Sequence, residues 1–143
     1  MKAFLDTSVY ISHYRAGVHR ELLNRLNTEY FLYLHAVVLA ELHAGAGTPA
    51  FAKELVRLEK IFSSKGRIIV PEKRDYGMAG RMLRKMRQRG LIEDQKVSSF
   101  LGDSLLASSA RHEGMTLVTE DKDFQRIAKV QPFPLLLVEP QFQ

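Results

Sequence analysis

The chain has 143 residues, of which 45% are apolar and 26% are charged, a balance typical of a folded globular protein and incompatible with wholesale disorder. It contains no cysteine, which excludes a disulfide framework, cysteine-based zinc fingers and thiol nucleophiles. With 21 basic and 16 acidic residues, the formal net charge is +5, a modest excess that favours an anionic partner.

No segment of the sequence divides the chain or anchors it in a membrane. There is no long low-complexity linker and no internal repeat, so residues 1–143 are expected to form one domain. The apolar stretch at the N-terminus is interrupted by Asp6 and is too short for a signal peptide. No window approaches the 18 or so apolar residues that a transmembrane helix needs. These features predict a cytoplasmic protein.

Five short apolar runs predict strands. In chain order they are Ala3–Leu5, Phe31–Leu34, Ile68–Val70, Leu117–Thr119 and Leu135–Val138. Their apolar residues are continuous rather than alternating, which is typical of strands that helices cover on both faces.

Helical patterns occupy the segments between these strands. One pattern places Phe51, Leu55, Leu58 and Phe62 on a single face, after Thr48 as N-cap and Pro49 at the first helical position. A second places Tyr76, Ala79, Leu83 and Met86 on one face and ends at Gly90, and a third runs from about Asp103 through Ala110 to Gly114. Shorter helices are predicted at Leu22–Leu26 and Val37–His43. The alternation predicts an α/β sandwich around a mostly parallel sheet.

Acidic side chains follow two of the predicted strands, where ligands of parallel sheets collect. Asp6 comes directly after the first strand, and the run from Thr119 to Asp123 ends the fourth. Glu41 and Asp103 lie in apolar helical segments. Asp6 and Asp103 could instead be N-caps, Glu41 a solvated edge residue, and the acids after the fourth strand turn residues. Capping does not explain an acid within an apolar helix.

Carboxylates that share a pocket raise one another's pKa unless a cation neutralises them. Mg²⁺ prefers oxygen ligands, and the absence of a set of cysteine or histidine ligands disfavours zinc. A bound hard cation activates water and stabilises the oxygens of a phosphodiester. Carboxylates, Mg²⁺ and a basic surface together indicate phosphodiester hydrolysis.

Four motifs resemble those of the PIN-domain ribonucleases, and most closely the VapC-like toxins of VapBC-type toxin–antitoxin modules. The motifs are Phe4–Val9, Leu39–Gly45, Gly102–Ala107 and Leu117–Phe124. Each is weak alone, but four in this order and spacing are specific, and the resemblance covers nearly the whole chain.

The resemblance implies a PIN-like three-layer sandwich and a Mg²⁺-dependent endoribonuclease, with Mn²⁺ able to substitute. Asp6 and Asp103 would be the metal ligands, and Glu41 and Asp121 would complete the catalytic set. The resemblance also implies RNA as substrate, a homodimer, and inhibition by a cognate antitoxin. Asp121 and Asp123 compete for the fourth acidic position, and Asp121 is preferred because it lies nearer the strand end.

The sequence departs from the family's pattern at two further places. Ala36 stands where relatives often have a serine, which removes a hydroxyl near the second acid. The stretch Gln95–Phe100 before the third acid is longer and more polar than the pattern predicts.

Other polar side chains are candidates for supporting roles. Ser8 and Thr119 could hydrogen-bond a metal ligand or its water. Arg81, Arg84 and Lys85 project from a predicted helix as a track for the RNA backbone, or as an ordinary solvated face.

Several residues receive no catalytic assignment. Tyr14 and Arg15 could touch substrate, but nothing in the sequence decides it. The five histidines share no spacing and are interpreted as structural.

Two other classes of function compete with the nuclease hypothesis. One is a non-catalytic RNA- or protein-binding module, disfavoured because all four acidic positions are filled. The other is a phosphotransferase with Asp6 as nucleophile, disfavoured because Ser8 stands where that chemistry usually has a second acid.

Overall fold

The structure is a computed structural model that describes residues 1–17 and 19–140. Its described residues form one five-stranded sheet. The strands are β1 (Lys2–Leu5), β2 (Phe31–His35), β3 (Ile68–Ile69), β4 (Thr116–Thr119) and β5 (Leu135–Leu137). Every pairing is parallel, in the order β3-β2-β1-β4-β5. The prediction of an α/β sandwich is therefore confirmed, with a sheet that is wholly rather than mostly parallel.

The described residues also form seven α-helices. They are α1 (Thr7–Ala16), α2 (Arg20–Glu29), α3 (Ala36–Ala44), α4 (Pro49–Ser64), α5 (Lys73–Gln88), α6 (Leu101–Glu113) and α7 (Asp123–Val130). Two short 3₁₀ turns, Asp94–Lys96 and Ser98–Phe100, precede α6 and occupy the polar stretch that departs from the family's pattern. Among the described residues, no helix is long and apolar enough to cross a membrane.

The strand order places the chain's first strand in the middle of the sheet. From β1 the chain adds β2 and β3 on one side and later β4 and β5 on the other. In a parallel sheet, ligands usually bind in the crevice between the two strands from which the chain proceeds in opposite directions, just outside their carboxyl ends. Here that position lies between the ends of β1 and β4, where the backbone N–H of Asp6 donates to Val118 O at 2.8 Å.

The core explains why the strands are continuously apolar. Phe4, Leu34 and Leu117 on neighbouring strands have no exposed surface, and Leu106 of α6 and Phe124 of α7 are equally buried. Burying each such side chain contributes roughly 1.5–3 kcal/mol. The sheet and the helices against it therefore share one hydrophobic core.

Each of the five strands differs from its prediction by one residue at one end. β1 and β4 begin one residue earlier, at Lys2 and Thr116, and β2 ends one residue later, at His35. β3 ends at Ile69 because Val70 is 66% exposed and precedes Pro71, which has no N–H to donate to a ladder. β5 ends at Leu137, although Val138 still donates its N–H to Thr119 O at 2.8 Å.

The helix predictions were right for α4 and partly wrong for α5. Thr48 Oγ1 accepts a hydrogen bond from Phe51 N at 3.1 Å, so Thr48 caps α4 and Pro49 begins it. Tyr76, predicted on the buried face of α5, is 54% exposed. The buried face instead begins at Asp75, whose carboxylate is held by Ser108 and His112 of α6.

Candidate active site

Asp6 lies at the junction of β1 and α1 with only 6% of its surface exposed. It occupies the N-cap position of α1, but its side chain makes no capping hydrogen bond. Its Oδ2 accepts hydrogen bonds from Thr119 Oγ1 at 2.8 Å and from Ser8 Oγ at 3.0 Å. The interpretation of this side chain as an N-cap is therefore wrong.

The same two hydroxyls tie the loop after β4 to the end of β1. Thr119 Oγ1 accepts from Asp121 N at 2.9 Å, and Ser8 Oγ accepts from Glu120 N at 3.2 Å. A hydroxyl has one proton to donate and two lone pairs, so each can serve both partners. Asp121 is thus held in a fixed position relative to Asp6.

Glu41 reaches the site from α3, the helix that follows β2. His35 caps this helix, since its Nδ1 accepts a hydrogen bond from Val37 N at 3.1 Å. Glu41 is an exposed residue, but partial burial and then the negative charge of Asp6 raise the pKa of its carboxyl. The nearby Thr7 hydroxyl lowers this pKa, although its oxygen completes no hydrogen bond of ordinary geometry within the described residues.

Asp103 is the third residue of α6, because that helix begins at Leu101. The helix predicted here, closed by Gly114, is therefore present but begins two residues earlier than predicted, and the interpretation of Asp103 as an N-cap is wrong. A Cβ atom on Gly102 would lie 3.8 Å from Glu41 Oε1, which places the Glu41 carboxylate against the first turn of α6.

Burial raises the pKa of Asp103 to about 8, and the negative charges of the surrounding acids add to the rise. In decreasing order of effect these acids are Asp6, Asp121, Glu41 and Asp123. Burial likewise raises the pKa of Asp6, with a smaller contribution from Asp121. The structure thus brings the predicted acids around one space.

Within the described residues, the negative charge of the site is not compensated by an ion pair with a cationic side chain. Among residues 1–17 and 19–140, no lysine or arginine forms an ion pair with Asp6, Glu41, Asp103 or Asp121. Every candidate ligand atom is a carboxylate or hydroxyl oxygen, the donor type that hard divalent cations prefer.

A different trio of potential metal ligands lies elsewhere. In the described part of the chain, Glu72, His112 and Glu113 form the one group of three whose donor atoms lie within 4.8 Å of one another. His112 is nine residues beyond Asp103, about 14 Å along α6. The oxygens of the acidic site are spaced more widely, which suits a cation that keeps part of its water shell.

The two candidates for the fourth acid differ in their surroundings. Asp121 Oδ1 accepts from Asp123 N at 2.8 Å, at the first residue of α7. The negative charge of Asp121 raises the pKa of both Asp6 and Asp103, whereas that of Asp123 raises only the pKa of Asp103. Asp123 Oδ1 also lies 3.8 Å from Arg126 Nε. These contacts favour Asp121.

In the described chain, no hydrogen bond or ion pair joins the predicted RNA-backbone residues of α5 to the acids. Arg81, Arg84 and Lys85 are exposed on α5, which runs alongside α6 with Asp75 next to His112. Their role as contacts for an RNA backbone stays a prediction.

Sequence reasoning missed the group that holds the loop carrying Asp121. Glu120 contacts His19 Nε2 through Oε1 and accepts a hydrogen bond from Ser12 Oγ at 2.9 Å through Oε2. His19 is 4% exposed and has a left-handed φ of 68°. No spacing in the sequence indicates this pairing, because its members are about a hundred residues apart.

The family model of the PIN domain matches residues 3–130. The chain therefore belongs to the PIN domain family, whose members are generally nucleases. No curated protein sequence matches the chain.

Within this family the chain is VapC-like, because the solved structures it resembles include VapBC toxin–antitoxin complexes. VapBC2 from Rickettsia felis, solved with a fragment of promoter DNA, is 27% identical, with a TM-score of 0.70 over 97% of this chain and 100% of that chain. DNA-bound VapBC from Salmonella typhimurium is 20% identical, with a TM-score of 0.68 over 95% and 98% of the two chains. VapBC-5 from Mycobacterium tuberculosis is 19% identical, with a TM-score of 0.63 over 96% and 98%.

Proposed function

We propose that this chain is a Mg²⁺-dependent endoribonuclease that acts as the toxin of a type II toxin–antitoxin pair. One observation carries the proposal. Burial, and then the negative charges of nearby acids, raise the pKa of Asp103 to about 8. In the described chain, neither Asp103 nor its neighbours Asp6, Glu41 and Asp121 form an ion pair with a lysine or arginine. A site that concentrates like charges in this way is suited to a divalent cation.

The residues present fit such a cation. Asp6 and Asp103 would hold it, with Glu41 and Asp121 beside them. In the described residues, Thr7 Oγ1 and Ser104 Oγ are buried without a hydrogen-bond partner, and each is the neighbour in sequence of a proposed ligand. When bound, Mg²⁺ or Mn²⁺ supplies an activated water and neutralises charge on the phosphodiester oxygens.

The chain's own groups orient the reaction. Thr119 and Ser8 both donate to Oδ2 of Asp6, so in the described chain Oδ1 forms no side-chain hydrogen bond and is available as a ligand. Glu41 has a raised pKa and an exposed position, which suit a carboxylate that accepts a proton from the attacking water. Asp121 would orient that water from the opposite loop.

The remaining proposals concern partners. Similarity to VapBC complexes supports a cognate antitoxin as inhibitor. We also propose that residues 1–143 act as one domain, that the active form is a homodimer, and that Arg81, Arg84 and Lys85 contact the backbone of the RNA substrate.

The test is metal binding and RNA cleavage by single-atom variants of the acids. Asp6→Asn and Asp103→Asn should each abolish Mn²⁺ binding by calorimetry and cleavage of single-stranded RNA, while circular dichroism stays unchanged. Asp94→Asn is the matched control, since the Asp94 side chain is 85% exposed. If the parent protein free of antitoxin binds no Mn²⁺, the proposal fails and a non-catalytic binding module replaces it.

A further inference from the structure

We propose that a groove beside the acidic site binds one unstacked base of the RNA strand, an inference that rests on the proposed ribonuclease function. This base groove has a volume of about 340 Å³ and lies between α1 and the segment that joins α3 to α4. Its walls include Ile11, Tyr14, Arg15, Glu41, Gly47 and Phe51. The volume is near the lower end of the roughly 300–1,000 Å³ of small-molecule pockets, which favours a single nucleotide unit.

Two aromatic rings form one wall of the base groove. The ring centroids of Tyr14 and Phe51 are 5.2 Å apart with an interplanar angle of 63°, an edge-to-face arrangement. Tyr14 is 36% exposed, and Phe51 is partly buried. Bases of single-stranded nucleic acids stack on such rings regardless of sequence, because every base has a π-face.

Glu41 connects the base groove to the acidic site, because the same side chain lines the groove and faces Asp6. A strand whose phosphate lies at the acids therefore has a neighbouring nucleotide within reach of the groove. The acidic site and the adjoining groove together suit a polymer in which a phosphate is followed by a flat ring with apolar faces, as in single-stranded RNA.

Arg15 supplies the positive charge that an RNA strand needs beside a cluster of acids. It lies on the groove wall and, in the part of the chain that the structure describes, forms no ion pair. An unpaired guanidinium at this position attracts a phosphate, which lowers the electrostatic cost of bringing the strand toward Asp6 and Glu41.

Gly47 lines the groove without a side chain. A Cβ atom on Gly47 would meet no atom within 4 Å, and this glycine has no positive φ that would penalise a substitution. A larger side chain at this groove-lining position is therefore accommodated without a clash or backbone strain.

The experiment pairs protein variants with RNA that lacks one base. In the parent protein, an abasic nucleotide beside the cleaved phosphodiester should raise KM on the order of tenfold with little change in kcat. In Phe51→Leu, Tyr14→Leu and Gly47→Val, KM for the intact strand should rise similarly, and the abasic nucleotide should have no further effect. Tyr76→Leu is the matched control, since Tyr76 is an exposed aromatic residue outside the groove.

The outcome separates failure of this inference from failure of the proposed function. Suppose that the parent protein cleaves RNA and that Phe51→Leu and the missing base each raise KM independently, so that their combined effect is the product of the two. The proposal of a base groove is then wrong, and the proposed nuclease function is unaffected. If the parent does not cleave RNA, the groove is tested by binding of RNA strands that carry the fluorescent base 2-aminopurine.

Quenching of the 2-aminopurine fluorescence by the parent but not by Phe51→Leu or Gly47→Val supports the base groove, and equal quenching by all three overturns it. Loss of antitoxin binding in Gly47→Val, with RNA binding unchanged, also overturns it.

Discussion

Thr119 donates a hydrogen bond of 2.8 Å from its hydroxyl to Oδ2 of Asp6, across 113 residues of chain. The same hydroxyl accepts from Asp121 N, so one oxygen atom fixes two of the four proposed catalytic acids relative to each other. Thr119 itself has no exposed surface.

Removing that hydroxyl should impair the site without removing an acid. Thr119→Val keeps the shape of the side chain but leaves Asp6 and the Asp121 N–H each short of a partner, which costs about 1–3 kcal/mol of stability. Mn²⁺ affinity and RNA cleavage should fall roughly 10–100-fold, as for other groups that orient metal ligands. Thr119→Ser should retain both, and a Val variant with normal Mn²⁺ affinity would contradict this role.

The stability of the metal-free protein should fall as pH rises. With a pKa of about 8, folded Asp103 keeps a proton that the unfolded chain has lost above the ordinary aspartate pKa of 3.8. Between those values the folded state binds more protons, so the free energy of unfolding decreases with increasing pH. Asp6 and Glu41 act in the same direction.

Denaturant titrations in EDTA at pH 5 and pH 8 measure this slope. Asp103→Asn should flatten it and should be more stable than the parent at pH 8. Saturating Mn²⁺ should restore the parent's stability at pH 8 because the cation replaces the missing positive charge. His35 contributes an opposite slope below about pH 6.5, so the difference between the parent and Asp103→Asn is decisive. Equal slopes in the two proteins would contradict the raised pKa of Asp103.

Acid should destabilise the fold through His35. Burial lowers the pKa of this histidine from 6.5 to about 4. Its Nδ1 accepts from Val37 N, which leaves Nε2 as the nitrogen that donates to Ser109 Oγ at 2.9 Å. From about pH 6.5 down to pH 4 the unfolded chain takes up a proton that the folded chain does not.

The resulting loss of stability should reach about 3 kcal/mol at pH 4. His35→Asn keeps a side chain that caps α3, so it should fold and should lack this part of the acid-dependent loss. Thermal unfolding of both proteins from pH 7 to pH 4 provides the comparison, and identical slopes would exclude His35 as the cause.

The two adjacent aspartates should differ in importance. Asp121→Asn should reduce cleavage much more than Asp123→Asn. The charge of Asp121 raises the pKa of both Asp6 and Asp103, while that of Asp123 raises only the pKa of Asp103. Single-turnover cleavage by the two variants measures the difference. A larger loss in Asp123→Asn would reverse the assignment.

The exposed basic residues of α5 should govern the salt dependence of RNA binding. Each phosphate contact on a single strand contributes about −0.7 to the log–log salt slope, so replacing Arg81, Arg84 and Lys85 by glutamine should reduce its magnitude by about 2. Replacing the exposed Arg25 of α2 should leave the slope unchanged. An unchanged slope in the triple variant would identify this face as merely solvated.

The strands and the position of the acids could be predicted because both depend on local patterns. Continuous apolar runs such as Leu117–Thr119 can be buried on both faces only within a covered sheet, and Asp6 follows such a run directly. The short helix α7 was not predicted, since its buried Phe124, Ile127 and Val130 span only two turns. Tyr76 was misplaced because the buried Asp75, held by His112 of another helix, shifts the inner face by one residue.

The contacts that complete the site could not be predicted. Glu120 with His19, and Thr119 with Asp6, join residues about a hundred positions apart, and nothing in either local sequence encodes the partner. The base groove depends on a contact between Tyr14 of α1 and Phe51 of α4, which follows only from the packing of both helices against α3.

The placement of β1 between β2 and β4 has a consequence for the cell that synthesises the protein. A ribosome releases Asp6 113 residues before Thr119, and β4 must dock beside β1 before the acids are assembled. If the proposed function holds, a nascent chain that has not yet reached β4 lacks the assembled site and is harmless, which gives a co-translated inhibitor time to be made.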